Sequence, residues 1–311
     1  MSDATPALQP DSGSDNAPGS EFALGIVAMI AAALAMSVSP TLVRFADVGP
    51  LTSAFWRVFL VLPVLWVWMQ QDEKKGGRRG KRFAIATVFA GLAFAGDLLF
   101  WHLAIMNTTV ANATFFATMA PVWVVVFGWL LLRQRTERTV LAGLALCIVG
   151  GSALVFESLN VNPIHALGDG QGIVTGMFFG LYFLAVGAAR KVTGAGRVTF
   201  ELSVVTAAVL FAFAMVIEGD LVPKTLSGWA VLFALAFVSH AGGQGLLSVA
   251  LGRLPTAFSS LVIFLEAIAA AGIAWVVLDE PVSWLQAAGG VIIIIGIWIA
   301  RPRQKRPVAQ L

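Results

Sequence analysis

The sequence predicts an all-α integral membrane protein of ten transmembrane helices, arranged as two inverted-topology five-helix repeats. Three observations support this prediction. Apolar runs of about 20 residues recur along the chain, and a helix of that length crosses a hydrocarbon core roughly 30 Å thick. The basic residues sort into alternate loops, and the two halves of the chain match each other at a constant shift of 146 residues.

Composition sets the class of protein. The chain has 311 residues, of which 58% are hydrophobic and 12% are charged, and its mean hydropathy is +0.85. Soluble domains carry about 25% charged residues, so this chain has too few to cover a water-facing surface. The formal charge of +3 does not indicate nucleic-acid binding, because the basic residues lie in short loops. The single cysteine, Cys147, excludes an intrachain disulfide and a cysteine metal cluster.

Ten apolar segments, numbered here as spans 1 to 10, are the predicted membrane crossings. Their ranges are 22–44, 51–70, 83–105, 110–132, 137–156, 170–190, 199–217, 228–250, 255–277 and 283–301. Turn residues such as Gly49-Pro50 fall between them. Residues 1–20 lack periodicity and the basic start of a signal peptide, so we expect a disordered cytoplasmic tail and a retained first helix. Residues 303–311 form a basic cytoplasmic tail.

The charge pattern predicts how the chain threads the membrane. With ten spans, 17 of the 20 lysine and arginine residues fall on one side. They are Lys74, Lys75, Arg78, Arg79, Lys81, Arg82, Arg133, Arg135, Arg138, Arg190, Lys191, Arg197, Arg253, Arg301, Arg303, Lys305 and Arg306. Basic loops stay in the cytoplasm. We therefore expect a multi-pass protein of the cell (inner) membrane with both termini cytoplasmic.

The two halves, residues 21–160 and 161–302, form a repeat of five spans each. Matches at the shift of 146 include Trp129 with Trp275, Gly143 with Gly289, and Gly150 with Gly296. Five is an odd number, so the second half enters the membrane from the opposite face. Such an inverted repeat builds two related bundles around a central pathway that opens alternately to the two sides. The alternative is a duplication that only built a stable bundle.

Polar side chains at membrane depth are candidates for a substrate site, because a charged group there costs about 2.5–3.5 kcal/mol on insertion scales. Asp97 and Trp101 share one face of span 3 and could receive an amino group and an aromatic neighbour, although Asp97 could instead pair with another helix. His240 and Gln244, four residues apart in span 8, are candidates for the facing wall. His240 is equally consistent with a proton site or a hydrogen-bonded core residue. The Tyr182 hydroxyl, at mid-depth in span 6, needs a partner or a wet cavity.

Three further residues are candidates for gating or coupling. Glu266, in the middle of span 9, could bind a cation or proton, and we favour a structural or gating role. Pro121 removes a backbone donor and kinks span 4. Arg57, about two turns into span 2, could grip a carboxylate through two parallel bonds or snorkel to the surface. Glu201, near the inner end of span 7, is expected to be solvated.

The stretches Thr108 to Phe156 and Leu254 to Ala300 carry a family resemblance. In each, small residues precede an apolar helix, a short polar turn follows, and a Gly-rich helix closes the half. Here the chain resembles the EamA branch of the drug/metabolite transporter superfamily, and within it the aromatic amino-acid exporters of the YddG type. The chain departs from the family pattern of Glu then Pro, which is split between Glu266 and Pro121. The acidic turn Leu278-Asp279-Glu280-Pro281 occurs in the second half alone.

The sequence therefore predicts a secondary transporter that exports small metabolites by alternating access, above all amino acids with large apolar or aromatic side chains. We expect spans 1, 3, 4, 6, 8 and 9 to line its cavity. The alternatives are a carrier for nucleobases, nucleotide sugars or drugs and, from another class, a passive channel. The chain lacks a Walker lysine motif, metal-ligand spacing and a nucleophile elbow, so we expect no enzyme, metal or cofactor. The expected partners are a small-molecule substrate and the lipid bilayer, without nucleic acid, and a homodimer is an open alternative.

Overall fold

The computed structural model describes residues 18–156, 164, 166–278 and 282–302, and its regular elements there are all helical. Nine helical segments in this part are long and apolar enough to cross a membrane, and the apolar helix Trp284–Ala300 adds a tenth of 17 residues. A helix of 17 residues is about 26 Å long, at the short end of the range for a span. The predicted ten-helix membrane fold is confirmed. The predicted basic tail, residues 279–281 of the acidic turn and most of the N-terminal tail lie outside the described residues.

The helices, in chain order, build the spans as follows: α1 (Pro18–Met36) and α2 (Ser39–Arg44) in span 1; α3 (Pro50–Phe59) and α4 (Leu62–Lys74) in span 2; α5 (Ile85–Asn107) in span 3; α6 (Val110–Thr118) and α7 (Ala120–Leu132) in span 4; α8 (Arg138–Val155) in span 5; α9 (Ala166–Arg190) in span 6; α10 (Ala195–Ile217) in span 7; α11 (Leu226–Ala234), a π-helical segment (Leu235–Gln244) and α12 (Gly245–Leu251) in span 8; α13 (Thr256–Val262) and α14 (Phe264–Leu278) in span 9; and α15 (Trp284–Ala300) in span 10. We call the side that carries the loops after spans 2, 4, 6 and 8 the basic face.

Spans 1, 2, 4 and 9 are each built from two helices, and span 8 contains the π-helical segment. Three of the breaks have a proline in the first turn of the second helix, namely Pro40 in α2, Pro63 in α4 and Pro121 in α7. Proline has no N–H to donate to the preceding turn and its fixed φ suits a helix start, so a new helix begins there. Four of the five interrupted spans are among those expected to border the central pathway.

Spans 5 and 10, which correspond to each other in the repeat, pack as an antiparallel pair. A Cβ added at Gly150 would lie 2.5 Å from the carbonyl oxygen of Gly289, and a Cβ added at Gly289 would lie 2.5 Å from the carbonyl oxygen of Gly150. Three residues before Gly150, the Cys147 Sγ lies 3.7 Å from the carbonyl oxygen of Ile293, its own counterpart at the shift of 146. Corresponding residues meet in this way at a two-fold axis between the repeats, which is the geometry of inverted topology.

Spans 2 and 7, also counterparts, are joined at both ends. On the face opposite the basic face, the Glu218 carboxylate caps α3: its Oε1 accepts the Leu51 N–H and its Oε2 accepts the Thr52 N–H, each at 2.8 Å. On the basic face, Asp72 accepts the Gly196 N–H at the start of α10 at 3.1 Å. Asp72 and Glu218 are 146 positions apart. Corresponding acids thus cap a helix of the other repeat, each favoured by the positive helix N-terminus.

Small residues let the helices approach closely inside the bundle. A Cβ added at Gly176 would lie 2.6 Å from the Phe116 carbonyl oxygen, and one at Gly180 would lie 2.7 Å from the Trp123 Cβ. These two glycines of span 6 therefore allow span 4 to pack against it, as small residues do in membrane bundles. Large apolar side chains such as Trp298 are exposed on the outside, where lipid replaces water.

The expectation that Glu201 is solvated is wrong. The residue is 2% exposed, and its Oε2 accepts the backbone N–H of Phe83 at 2.8 Å. The chain leading into α5 lies over the start of α10 and leaves little of the Glu201 side chain exposed. Glu201 therefore fixes the start of span 3 rather than facing solvent.

Candidate functional site

A small cavity lies at the centre of the bundle, among the interrupted spans. Its volume is about 50 Å³. Spans 1, 2, 3, 4, 6, 8 and 9 line it through Met36, Ser39, Arg57, Phe94, Asp97, Leu98, Trp101, Thr114, Ala117, Thr118, Phe179, Gln244 and Glu266. The six spans expected from the sequence all contribute, and Arg57 adds span 2.

Arg57 brings a buried positive charge to the cavity. The residue is 4% exposed, so the snorkelling alternative is wrong. Its Nη1 donates to the Ser39 Oγ at 3.0 Å and its Nη2 donates to the Ser239 Oγ at 2.9 Å. These two hydroxyls, from spans 1 and 8, hold the guanidinium inward. Within the described residues its Nε has no hydrogen-bond partner and no carboxylate oxygen lies within 4.0 Å of it.

Asp97 and Glu266 bring two carboxyl groups to the same cavity. Neither side chain forms a hydrogen bond or ion pair with any residue that the structure describes, so the alternative in which Asp97 pairs with a neighbouring helix is not seen. Trp101 stands one helical turn from Asp97 and also lines the cavity. Glu266 lies in the first turn of α14, where the helix dipole favours a negative charge. The cavity thus offers one cation and two acids that are not paired with one another.

Tyr182 and Gln244 close the cavity on the side of the basic face. The Tyr182 hydroxyl donates to the Gln244 Oε1 at 2.9 Å, and the Gln244 Nε2 lies 3.2 Å from the Met36 Sδ. Gln244 and Met36 line the cavity, whereas Tyr182 is fully buried behind them, with its ring 4.9 Å from that of Phe94. Tyr182 is one turn nearer than Phe179 to the end of span 6 on the basic face. This chain of contacts links both repeats and forms the floor of the cavity.

His240 and Pro121 lie outside the cavity lining. The His240 Nε2 is 2.9 Å from the Ser203 Oγ, and the ring packs 5.4 Å from that of Phe94, so the imidazole is a hydrogen-bonded core group behind the wall. Pro121 is buried in the first turn of α7, next to the break in span 4. The structure therefore brings Arg57, Asp97, Trp101, Gln244 and Glu266 to one cavity and sets His240, Tyr182 and Pro121 around it.

Several lining residues have no strong signal in the sequence. Ser39 precedes Pro40, and a hydroxyl beside a proline break is the only hint of its role. Thr114 corresponds to Ser260 in the repeat, and its Oγ1 is buried without a partner in the described part of the chain. Together with Thr118, these hydroxyls add neutral hydrogen-bonding groups to the charged ones.

Comparison with known proteins places this bundle in a family. The model of the EamA-like transporter family matches residues 23–156 and 166–301. The chain belongs to the EamA-like transporter family. The "Pseudopaline exporter CntI" of Pseudomonas aeruginosa is 25% identical to this EamA-like protein over 287 residues, which cover 91% of this chain and 97% of the exporter. An "Uncharacterized transporter" of Archaeoglobus fulgidus is 25% identical over 277 residues, which cover 89% of this chain and 96% of the relative.

A protein of known crystal structure has the same fold as this EamA-like transporter. The TM-score is 0.74 at 18% sequence identity, and the match covers 90% of this chain and 98% of the other. The family match and the transporter relatives confirm that the chain is a multi-pass membrane transporter of small molecules and not an enzyme.

Proposed function

We propose that this EamA-like transporter is a secondary transporter that exports amino acids with large apolar or aromatic side chains by alternating access. The observation that carries the proposal is the arrangement of Arg57, Asp97 and Glu266 around one cavity without pairing among them. A buried charge without a partner is unfavourable. A zwitterion supplies both missing partners at once, because its carboxylate suits the guanidinium and its ammonium suits a carboxylate.

Each part of such a substrate has a matching group. The Arg57 guanidinium presents hydrogen-bond donors to the carboxylate, and charge-assisted bonds of this kind are stronger than neutral ones. Asp97 is assigned to the ammonium group. Trp101, Phe94 and Phe179 offer aromatic surface for a large apolar side chain. Glu266 remains as a second acid, which we assign to gating or to coupling with a cation.

The size of the cavity supports alternating access. A volume of about 50 Å³ holds only a few waters, since a cavity needs roughly 10–15 Å³ to hold one. An amino acid with a large side chain needs more room, so the helices around the cavity must move to admit it. The breaks at Pro40 and Pro121 and the floor formed by Tyr182, Gln244 and Met36 are the places where we expect that movement. His240 is assigned a supporting role behind the wall.

The remaining assignments follow from charge and from the relatives. The basic face carries most of the lysines and arginines, which favours an inner-membrane orientation with both termini in the cytoplasm. Residues 21–160 and 161–302 are the two proposed repeat units. The name of the P. aeruginosa relative supports export as the direction of transport. We leave a homodimer as an alternative to a single working chain.

Counterflow in proteoliposomes tests the proposal. Vesicles containing the protein are loaded with unlabelled compound, and uptake of the labelled compound is followed for amino acids, nucleobases, nucleotide sugars and cationic drugs. We expect saturable counterflow for phenylalanine, tryptophan or leucine, a large loss in Asp97→Asn, and normal activity in Asp220→Asn, which changes an exposed carboxylate paired with Lys224. Counterflow of nucleobases or nucleotide sugars alone would overturn the amino-acid assignment, and uptake that does not saturate would indicate a channel.

A further inference from the structure

A second cavity lies on the basic face, away from the central site. Its volume is about 260 Å³, and it is bordered by the end of span 2, the start of span 3 and the first turns of span 7. It shares no lining residue with the central cavity. The proposed transport function makes no use of it.

Four charged side chains face this second cavity, and two of them neutralise each other. The Arg197 Nε donates to the Glu73 Oε1 at 2.6 Å, and the Arg197 Nη2 lies 2.5 Å from the same oxygen. The other two are Arg82 and Glu201. Among the described residues the Arg82 guanidinium has no hydrogen-bond or ion-pair partner, and no carboxylate lies within 4.0 Å of it. The cavity therefore holds a free cation and a carboxylate that do not reach each other.

Glu201 is a fixed and directional acceptor. Its Oε2 is taken by the Phe83 N–H at 2.8 Å, while its Oε1 has no partner in the described ranges. Phe83 has a φ of 45°, which a non-glycine residue adopts at some cost, and the bond to Glu201 holds the backbone there. The free Glu201 Oε1 can therefore accept a hydrogen bond from a group that enters the cavity.

The mouth of the cavity is aromatic and lies where the apolar helices end. Trp66 and Phe83 are large exposed side chains there, and Phe200 lines the inner wall. Tryptophan and other aromatics gather at the level of lipid headgroups. Ile85, two residues after Phe83, is 91% exposed, as expected for a side chain that contacts acyl chains. The cavity therefore opens toward the membrane interface.

We propose that this cavity binds the headgroup of phosphatidylethanolamine from the leaflet at the basic face. The phosphate lies on the Arg82 guanidinium, and the ammonium donates to the Glu201 Oε1. The acyl chains then leave along Trp66 and Phe83 at the mouth. A primary ammonium has three N–H donors, whereas the quaternary ammonium of choline has none, so the buried carboxylate discriminates between the two zwitterionic lipids. Phosphatidylglycerol can satisfy Arg82 but offers the Glu201 Oε1 only neutral hydroxyl donors, which bind a carboxylate less strongly than an ammonium does.

Thermal unfolding of the purified, delipidated full-length chain in detergent tests the assignment. Phosphatidylethanolamine is expected to raise the midpoint by about 2–4 °C more than phosphatidylcholine or phosphatidylglycerol of the same acyl chains. Arg82→Gln and Glu201→Gln are each expected to remove this excess. Glutamine keeps an acceptor for the Phe83 N–H, and Arg82 is exposed, so neither change removes packing. Arg135→Gln, on the same face at the end of span 4, is the control that keeps the full excess.

Three outcomes would overturn the proposal. The first is an equal midpoint in the three lipids for the unaltered protein. The second is an excess for phosphatidylethanolamine that survives in Arg82→Gln, which is informative even if Glu201→Gln does not fold. The third is the same excess with soluble glycerophosphoethanolamine, which would assign the cavity to a free metabolite instead of a lipid. Binding at this cavity is independent of counterflow, so either proposal can fail without the other.

Discussion

Replacing Gly150 with alanine is expected to force apart the two helices that meet at the two-fold axis. The added Cβ would lie 2.5 Å from the Gly289 carbonyl oxygen and 2.9 Å from the Ile293 Cγ1. Non-bonded heavy atoms prefer about 3.5–4.0 Å, so α8 and α15 must separate by roughly 1 Å. Overpacking of this kind costs about 1–3 kcal/mol, and the better helix propensity of alanine offsets up to about 1 kcal/mol of it.

The assay is thermal unfolding in one detergent, with Gly272→Ala as the control. Nothing lies within 4 Å of a Cβ added at Gly272, which is also inside a membrane helix. We expect Gly150→Ala to lower the unfolding midpoint by about 2–6 °C and Gly272→Ala to leave it unchanged or raise it. The double variant Gly150→Ala/Gly289→Ala should lower the midpoint by less than the sum of the two single variants. One separation of α8 from α15 makes room for both methyl groups. Equal midpoints for Gly150→Ala and Gly272→Ala would refute the packing of α8 against α15.

Three other predictions concern the contacts between the repeats and the cavity floor. Glu218→Gln and Asp72→Asn should each destabilise by about 1 kcal/mol in the same unfolding assay, because each weakens the capping of a helix N-terminus, and an unchanged midpoint in both would contradict the capping role. Tyr182→Phe leaves the Gln244 Oε1 without its donor, at a cost of about 1–3 kcal/mol, and should change the counterflow rate more than the apparent KM, whereas the reverse would place the hydroxyl on the substrate. Hydrogen bonds, above all the one from the Thr225 hydroxyl, lower the pKa of Asp47 below its usual 3.8. The stability that ionised Asp47 contributes is therefore present above pH 3.8 and is lost as the pH falls through the lowered pKa. Asp47→Asn should therefore lose less stability than the unaltered protein between about pH 5 and pH 3, and parallel pH curves would contradict this.

The architecture could be predicted because it follows from the lengths of the apolar runs, the placement of the basic residues and the internal repeat. Ten apolar runs and one-sided basic loops predict the threading, and the shift of 146 relates residues that the structure brings together, such as Cys147 and Ile293. The interruptions were harder to predict. Prolines mark three of them, but the break at Ile263 in span 9 and the π-helical segment have no comparable signal.

The site was predicted only in part. Residue spacing shows which side chains share one face of a helix, but it does not show whether that face points into the cavity. Asp97 and Trp101, four residues apart in a regular α-helix, do line the cavity together. His240 and Gln244 have the same spacing and lie in the π-helical segment, but of the two only Gln244 lines the cavity. Gln244 reaches the cavity and His240 turns behind it. Ser239, next to His240, instead supports Arg57.

The central claim is that the unpaired charges of the cavity bind the two ends of a zwitterion. The most direct measurement is competition against labelled phenylalanine counterflow by three unlabelled compounds, namely phenylalanine, its methyl ester and its N-acetyl derivative. The ester lacks the negative charge for Arg57, and the N-acetyl compound lacks the positive charge for Asp97. Loss of one such bond costs about 1.5–3 kcal/mol, so each analogue should compete about 10- to 150-fold more weakly than phenylalanine. Equal competition by all three would contradict the claim.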